Sequence, residues 1–353
     1  MLIFESQRTA RVQTRKLVLA FVVTVALLAL AVNVALALAW NIMWGFWAPI
    51  GREYPLYFFH VNTAITLLFV LGGWWIETSH LAQAGGQRMA ERLGARLAQP
   101  GSQMEERRLC NIVDEMAISA SMRRPAVMVL ARHADINAMA VGWSEKDAAV
   151  VVTQGALEVL DREELQGMIA HEFGHLREGD TRLNMRLIGM VFGLEMVYRM
   201  GESMWEPEDA VQMPATAPLG LVIMGVGWLG WVAGHALQAA VSRQREYLAD
   251  ARAVQWTRHR DGLGGVLRKL LTQQASGMPP RHLGPTVQHM LLVSTESGKM
   301  ADWLRSHPTL EQRIYRLYGR PMGALPLTRE EAPAPGSALD PSPDIDAPSW
   351  SLS

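Results

Sequence analysis

The sequence has almost no cysteine and little charge. Its 353 residues include one cysteine, Cys110, which excludes an internal disulfide, and a lone thiol of this kind more often serves packing than chemistry. We therefore expect a compartment in which disulfides play no part. Charged residues make up only 19% of the chain and the formal net charge is -1, so the charge balance predicts no nucleic-acid partner.

Apolar residues take the place of the missing charge. They make up 49% of the chain, with 12 Trp and 20 Met, which indicates that part of the surface faces lipid. Residues 17–40 and 56–76 are charge-free runs, each long enough to cross a bilayer as a helix. We expect a transmembrane hairpin within residues 1–80. Basic residues on both sides of it place its two ends in the cytoplasm by the positive-inside rule.

Two later apolar segments, 183–200 and 218–240, form a predicted second transmembrane pair. The second segment is a strong membrane candidate, but the first contains Arg186, Glu195 and Arg199, so its hydropathy fits a buried or interfacial helix equally well. The loop between them, 201–217, is acidic and has no Lys or Arg, which suits the outer face of a membrane.

A short metal-binding pattern, His171-Glu172-Phe173-Gly174-His175, lies in a stretch with helical character. Residues four apart share one face of a helix, so His171 and His175 can bind one metal ion with Glu172 beside it. Zinc accepts neutral imidazole well, and a neighbouring carboxylate can take a proton from an attacking water. Asp161 and Glu164 have the spacing of a capping box, which predicts that the helix begins there and ends near residue 179.

A catalytic zinc site needs a third protein ligand, and Glu246 is our candidate. It lies with Asp250 on one face of a predicted helix directly after the 218–240 segment. The alternative is a solvated face on which both carboxylates pair with nearby arginines. If Glu246 does join the histidines, the chain must cross the membrane an even number of times between them. Either both apolar segments span, which we favour, or neither does.

Short β-branched and apolar runs at 126–130 and 148–153 predict strands, and 137–142 is a possible further strand. Residues 87–120 have helical character, with a break at Pro100-Gly101. After residue 325 the chain is rich in Pro, Ala, Ser and Asp, so we expect a disordered tail over 326–353.

In this order the pieces resemble the HtpX-type membrane zinc metalloproteases, a branch of the peptidase family that also includes the CAAX prenyl proteases. The matching stretches are Asn137-Ala138-Met139-Ala140, residues 151–157, the His171–His175 pattern with Asp180, residues 243–250, and Ser306-His307-Pro308 with Arg313. The resemblance implies a mostly α, α+β fold. A helical zinc-metalloprotease domain with a small β-sheet, residues 81–325, would be attached to the transmembrane helices.

The resemblance also implies site roles. His171, His175 and Glu246 would bind one zinc ion, Glu172 would be the general base, and Asp250 would support a ligating histidine. His307, and with it Arg313, would approach the tetrahedral intermediate, and Asn137 and Ala138 would lie on an edge strand that binds the substrate. Where the family commonly has an aromatic residue after Asn-Ala, this chain has Met139, which leaves the subsite preference open.

The function that this resemblance implies is a zinc endopeptidase of the bacterial inner membrane, with its active site facing the cytoplasm. Its substrates would be polypeptides, in particular damaged or misassembled membrane proteins. Two alternatives remain open: a CAAX-type prenyl-protein protease, and a non-catalytic membrane scaffold with a structural zinc site. The first would have more membrane-spanning segments than this chain shows.

Overall fold

The fold is described from a computed structural model, which describes residues 2–45, 53–205, 217–276, 292 and 308–328. His307 lies outside these residues. The same is true of residues 206–216 of the acidic loop and of residues 329–353 of the predicted disordered tail. The helices are α1 (Leu2–Gly45), α2 (Phe58–Arg92), α3 (Met104–Ser119), α4 (Gln154–Val159), α5 (Arg162–Glu178), α6 (Asp180–Trp205), α7 (Ala217–Thr257), α8 (Arg260–Ala275) and α9 (Leu310–Tyr318). The strands are β1 (Arg96–Leu97), β2 (Ala126–Leu130), β3 (Ala138–Val141) and β4 (Ala149–Thr153). The predicted mostly α, α+β class is confirmed.

The strands form one sheet in the order β1-β2-β4-β3. Strand β2 is parallel to β4, whereas β3 is antiparallel to β4 and lies at the edge. Alternate residues of β3 enter two hydrophobic clusters: Ala138 and Ala140 join the larger one, and Met139 and Val141 join the smaller one. Because both faces of the sheet are covered at β2, β3 and β4, these three strands are almost continuously apolar.

The predicted break at Pro100-Gly101 within residues 87–120 is present, but the non-helical stretch is longer than predicted, from residue 93 to residue 103. Helix α2 ends at Arg92 and Gly94 follows with a φ of 86°, a conformation in which glycine ends a helix without strain. Strand β1 comes next, and Arg96 is held there by the buried carboxylate of Glu106, whose Oε2 lies 3.0 Å from Nη1 of Arg96. A two-residue strand fixed by such a contact has no periodicity that the sequence could reveal.

Helix α5 begins as the capping box predicts. The Asp161 side chain accepts a hydrogen bond from the Glu164 backbone N–H, and the Glu164 side chain accepts one from the Asp161 backbone N–H. A buried ion pair of 2.7 Å between Glu164 Oε2 and Lys269 Nζ fixes the same end of α5 to α8. The helix ends at Gly179, which has a φ of 72°. Both ends of the helix that carries the metal-binding pattern are therefore determined by local contacts.

Three helical segments are long and apolar enough to cross a membrane, among the residues that the structure describes: Val18–Met43 in α1, Phe58–Gln83 in α2 and Ala217–Ala239 in α7. These three segments indicate a membrane protein. Helix α6 does not meet this criterion. Helix α7 continues without interruption to Thr257, so that one helix carries both an apolar span and Glu246.

Glycines bring α6 and α7 into close antiparallel contact. A Cβ at Gly220 would lie 2.8 Å from the Gly201 carbonyl oxygen, and one at Gly227 would lie 2.4 Å from the Tyr198 backbone nitrogen. At the third position of this series, a Cβ at Gly234 would lie 3.2 Å from Leu194 Cδ1. A seam of small residues allows helix backbones to approach closely, an arrangement that is common between membrane helices.

The capping box gives a stability prediction. Asp161→Ala leaves the Glu164 backbone N–H without its side-chain acceptor, and we expect a loss of about 1 kcal/mol in the free energy of unfolding. Asp161→Asn keeps an acceptor at the same place and should remain close to wild type. Thermal melting of both variants in one detergent measures the difference, and equal melting temperatures would contradict the role of the cap.

Candidate metal centre

Two imidazoles and one carboxylate converge between α5 and α7. The Nε2 atoms of His171 and His175 are 3.1 Å apart. Glu246 lies opposite, with Oε2 3.6 Å from His171 Nε2 and Oε1 3.5 Å from His175 Nε2. The helices can approach because Gly174 has no side chain: a Cβ there would lie 3.0 Å from Ala249 Cα. This triad could hold a metal ion.

A carboxylate contacts the far nitrogen of each histidine. Asp250 Oδ1 is 2.9 Å from His171 Nδ1, and Asp180 Oδ2 is 3.0 Å from His175 Nδ1. A neutral imidazole carries one N–H, so a hydrogen bond at Nδ1 leaves the lone pair at Nε2. Both lone pairs are therefore available on the side of Glu246. Paired carboxylates of this kind orient metal-binding histidines.

Two arginines support these outer carboxylates. Arg313 donates to both oxygens of Asp250, with Nε 3.0 Å from Oδ2 and Nη2 2.7 Å from Oδ1. Its Nη1 is also 3.2 Å from Oε2 of Glu246. Arg245 forms an ion pair with Asp180. The guanidinium of Arg313 is 1% exposed and connects α9 to two carboxylates of α7. Removing it would leave those carboxylates buried with less compensation.

Glu172 lies beside the triad but outside it. Its side chain is 1% exposed, and its Oε2 has no hydrogen-bond partner among the described residues. Burial raises the pKa of Glu172, while the neighbouring histidines work in the opposite direction. A buried carboxyl group with a free oxygen and a raised pKa is a better proton acceptor than an exposed one.

The donor set fits a divalent cation of zinc size. Zinc bonds of about 2.0–2.1 Å in a tetrahedron separate neighbouring ligand atoms by about 3.3 Å. The two Nε2 atoms are 3.1 Å apart, and each lies 3.5–3.6 Å from a different oxygen of Glu246. The charges around the centre also favour a divalent cation. Four carboxylates are buried around the centre and only two guanidiniums accompany them, which leaves two negative charges when all are ionised. The carboxylates are those of Glu172, Asp180, Glu246 and Asp250, and the guanidiniums are those of Arg245 and Arg313.

Protons compete with a metal ion for the two histidines. Burial lowers the pKa of His171, but its hydrogen bonds with Asp250 and Glu246 outweigh this effect and raise it. The pKa of His175 is likewise raised, because contacts with Glu246 and Glu172 outweigh burial. Since metal binding needs neutral imidazole, metal affinity should fall as the pH falls.

The structure brings together most of the residues that the sequence indicated. His171, His175, Glu172, Glu246, Asp250 and Arg313 all meet at this centre. The alternative of a solvated face was wrong, since Glu246 is 4% and Asp250 5% exposed. His307 lies outside the described residues. Nothing in the sequence assigned a role to Asp180 or to Arg245. Their contacts in the fold show that both support His175.

The predicted substrate strand lies at the edge of the sheet, as expected. The backbone groups of Asn137 face β4: its carbonyl accepts from the Thr153 backbone N–H at 3.1 Å. The carbonyl of Ala138 faces the open edge instead. It accepts a hydrogen bond of 2.9 Å from the backbone N–H of Leu292.

Two histidines on one helix, a carboxylate from another helix and a further buried carboxyl group are the components of a metallopeptidase type of site. The chain belongs to peptidase family M48, whose model matches residues 103–320. It is therefore a protease of a membrane metalloprotease family, acting on polypeptides.

Curated relatives agree with this family. The chain is 34% identical over 216 residues to a protein named Protease HtpX homolog from Caldanaerobacter subterraneus subsp. tengcongensis, covering 59% of this chain and 70% of the relative. It is 32% identical over 270 residues to a protein of the same name from Thermoanaerobacter pseudethanolicus, covering 74% and 88%. Among solved structures, it is similar to S. mikatae Ste24p, with 16% identity, a TM-score of 0.40 and coverage of 86% of this chain and 66% of that one.

The contact between Asp180 and His175 generates a prediction on metal affinity. Asp180→Asn removes the charge that holds the His175 N–H, and we expect Zn²⁺ affinity to fall about 10- to 100-fold. Competition with a chelating dye measures this affinity directly. Glu178→Gln is the matched control, because Glu178 pairs with Arg252 rather than with a histidine. Unchanged affinity in Asp180→Asn would contradict the supporting role.

Proposed function

We propose that the chain is a zinc-dependent endopeptidase that hydrolyses peptide bonds at this centre. The observation that carries the proposal is the convergence of His171, His175 and Glu246, with the two Nε2 atoms 3.1 Å apart and a carboxylate oxygen of Glu246 within 3.6 Å of each. One zinc ion would be held by these three residues, leaving a fourth position open.

When bound, zinc supplies Lewis-acid chemistry, polarising the peptide carbonyl and making water nucleophilic near neutral pH. Glu172 then accepts the proton of the attacking water on its free carboxylate oxygen and delivers it to the departing amine. Its burial raises its pKa, which makes the carboxylate a stronger proton acceptor. Asp180 and Asp250 hold the two imidazoles in the tautomer that presents Nε2.

The substrate would bind as an extended strand on the open edge of β3. Edge strands offer their outward-facing backbone groups to any peptide sequence, and on β3 the Ala138 carbonyl, which accepts from the Leu292 N–H, faces outward in this way. Arg313 would supply a donor close to the centre, since its Nη1 already donates to a backbone carbonyl 3.1 Å away. Sequence resemblance adds His307 as a further donor to the tetrahedral intermediate.

The membrane topology follows from the same convergence. Glu246 and the histidines must lie on one side of the membrane, so α6 must cross if α7 does. Helix α6 has 26 residues, about 39 Å at 1.5 Å per residue, enough for a hydrocarbon core of about 30 Å. Its Arg199 and Glu195 pair with each other at 2.9 Å, which reduces their cost in the membrane. We therefore propose four crossings, by α1, α2, α6 and α7.

We also propose a bacterial inner-membrane location, with the centre facing the cytoplasm, and a role in removing damaged or misassembled membrane proteins. Basic residues flanking the first two spans support the orientation. The quality-control role rests on the similarity to HtpX-type proteases and on membrane anchoring, which places the site near membrane substrates.

The proposed base is tested by Glu172→Gln. The change keeps the side-chain volume but removes the proton acceptor, so we expect casein cleavage to fall at least about 100-fold while Zn²⁺ binding is retained. Cleavage is measured with full-length protein in detergent, with and without a chelator. Glu163→Gln, on the first turn of the same helix, should cleave like wild type. If Glu172→Gln cleaved at the wild-type rate, a hydrolytic role for Glu172 would be excluded.

The proposed topology is tested by cysteine labelling. Ser203, near the end of α6, is exposed and would lie on the outer side, whereas the exposed Ser102 would lie in the cytoplasm. In a Cys110→Ala background, a membrane-impermeant maleimide should label Ser203→Cys in intact spheroplasts and Ser102→Cys only after permeabilisation. Labelling of Ser203→Cys only after permeabilisation would contradict a crossing by α6.

A further inference from the structure

Leu292 occupies the open edge of β3 beside the metal centre. Its backbone N–H donates to the Ala138 carbonyl at 2.9 Å. Its own carbonyl accepts a hydrogen bond of 3.1 Å from Nη1 of Arg313. The side chain is 2% exposed and belongs to the larger hydrophobic cluster, which includes Leu310 and Ile314 of α9. The backbone N–H, the carbonyl and the side chain of Leu292 therefore each have a partner.

These contacts are those that a bound peptide would make. A strand added to a sheet edge pairs through its backbone and places its side chain in a pocket. The carbonyl of Asn137 faces β4, whereas the carbonyl of the next residue, Ala138, is presented outward. The same Nη1 atom of Arg313 lies 3.2 Å from Oε2 of Glu246, which places the Leu292 carbonyl next to a proposed metal ligand.

We propose that Leu292 is an internal occupant of a substrate subsite, held where an extended peptide would place a large aliphatic side chain. The inference rests on the proposed function, since it assumes that peptides bind along β3. External peptides must displace Leu292 before they can pair with Ala138. The subsite's ligand is a peptide residue with a free backbone N–H and a side chain of leucine size.

Internal occupancy lowers the apparent affinity for external peptides. Only protein molecules in which Leu292 has left the edge of β3 can bind an external peptide. The apparent Kd therefore equals the intrinsic Kd divided by the fraction of molecules in that state. A variant that weakens the Leu292 contacts should therefore bind peptide more tightly. A residue that served only packing would give no such gain, because its loss would lower stability without freeing a binding site.

Two substitutions separate the backbone contact from the side-chain contact. Leu292→Pro removes the N–H that donates to the Ala138 carbonyl. Leu292→Ala keeps this N–H but leaves the pocket of the leucine side chain empty. Leu270→Ala is the matched control, since Leu270 is equally buried in the same cluster but lies on α8. Thermal melting of each variant identifies any loss of folding.

Binding is measured by fluorescence anisotropy on full-length protein in detergent, with Zn²⁺ present and in a Glu172→Gln background that should not cleave. The probe is a labelled extended peptide with a single leucine, beside the same peptide with aspartate in its place. We expect Leu292→Pro to bind the leucine peptide about fivefold more tightly, the factor that one net hydrogen bond is worth. Leu292→Ala should also bind it more tightly, because the side-chain pocket is then empty. Leu270→Ala should show no gain, and the aspartate peptide should bind more weakly.

The outcomes separate this inference from the proposed function. Unchanged affinity in both Leu292 variants would overturn the inference, even if the Glu172-containing protein cleaved peptide normally. Equal binding of the leucine and aspartate peptides would overturn the aliphatic subsite. Tighter binding by the Leu292 variants without cleavage by any Glu172-containing protein would support the subsite and refute the hydrolase.

Discussion

The close approach of α7 to α5 is the contact on which the rest of the molecule depends. Glu246 can lie within 3.6 Å of both histidines only because Gly174 leaves room for the backbone of α7 at Ala249. Helix α5 is held by its capping box and by Lys269, and α7 is held by the glycine seam against α6. The candidate metal centre therefore lies where α5, fixed to α8 by Lys269, meets α7, which continues from an apolar span.

The second constraint is electrostatic. Carboxylates that are almost fully buried are costly unless they are paired, and this centre contains more of them than its arginines can balance. Asp180 and Asp250 are compensated by Arg245, Arg313 and the histidine N–H groups. Glu172 keeps an unbonded oxygen, and Glu246 faces the imidazole lone pairs. The arrangement is coherent when a divalent cation lies between the histidines and Glu246, and it leaves Glu172 as the group free to exchange protons.

The sequence alone predicted those features that depend on short-range spacing. The four-residue interval between His171 and His175 places them on one helix face, and the Asp161 cap is a contact over three residues. The apolar runs that predicted strands β2 and β4 were likewise local. Glu246 was identified as a ligand candidate, but its burial could not be predicted. The sequence of a charged helix face is the same whether that face contacts solvent or another helix.

The missed features depend on contacts between distant parts of the chain. The ion pair of Asp180 with Arg245 joins residues 65 positions apart, and no local pattern distinguishes these two from ordinary charged residues. Leu292 meets Ala138 and Arg313 only after the sheet and α9 are in place. Strand β1 is too short for a period of two to be visible. The continuity of α7 was also hidden, because its apolar and charged parts resemble separate segments.

The central claim is that His171, His175 and Glu246 together bind zinc. X-ray absorption at the zinc edge, on full-length protein purified in detergent, tests it most directly. We predict a first shell of nitrogen and oxygen only, at about 2.0–2.1 Å, with the scattering pattern of two imidazoles and a change of that shell in Glu246→Ala. Sulfur at about 2.3 Å, or a spectrum identical in wild type and Glu246→Ala, would contradict the account.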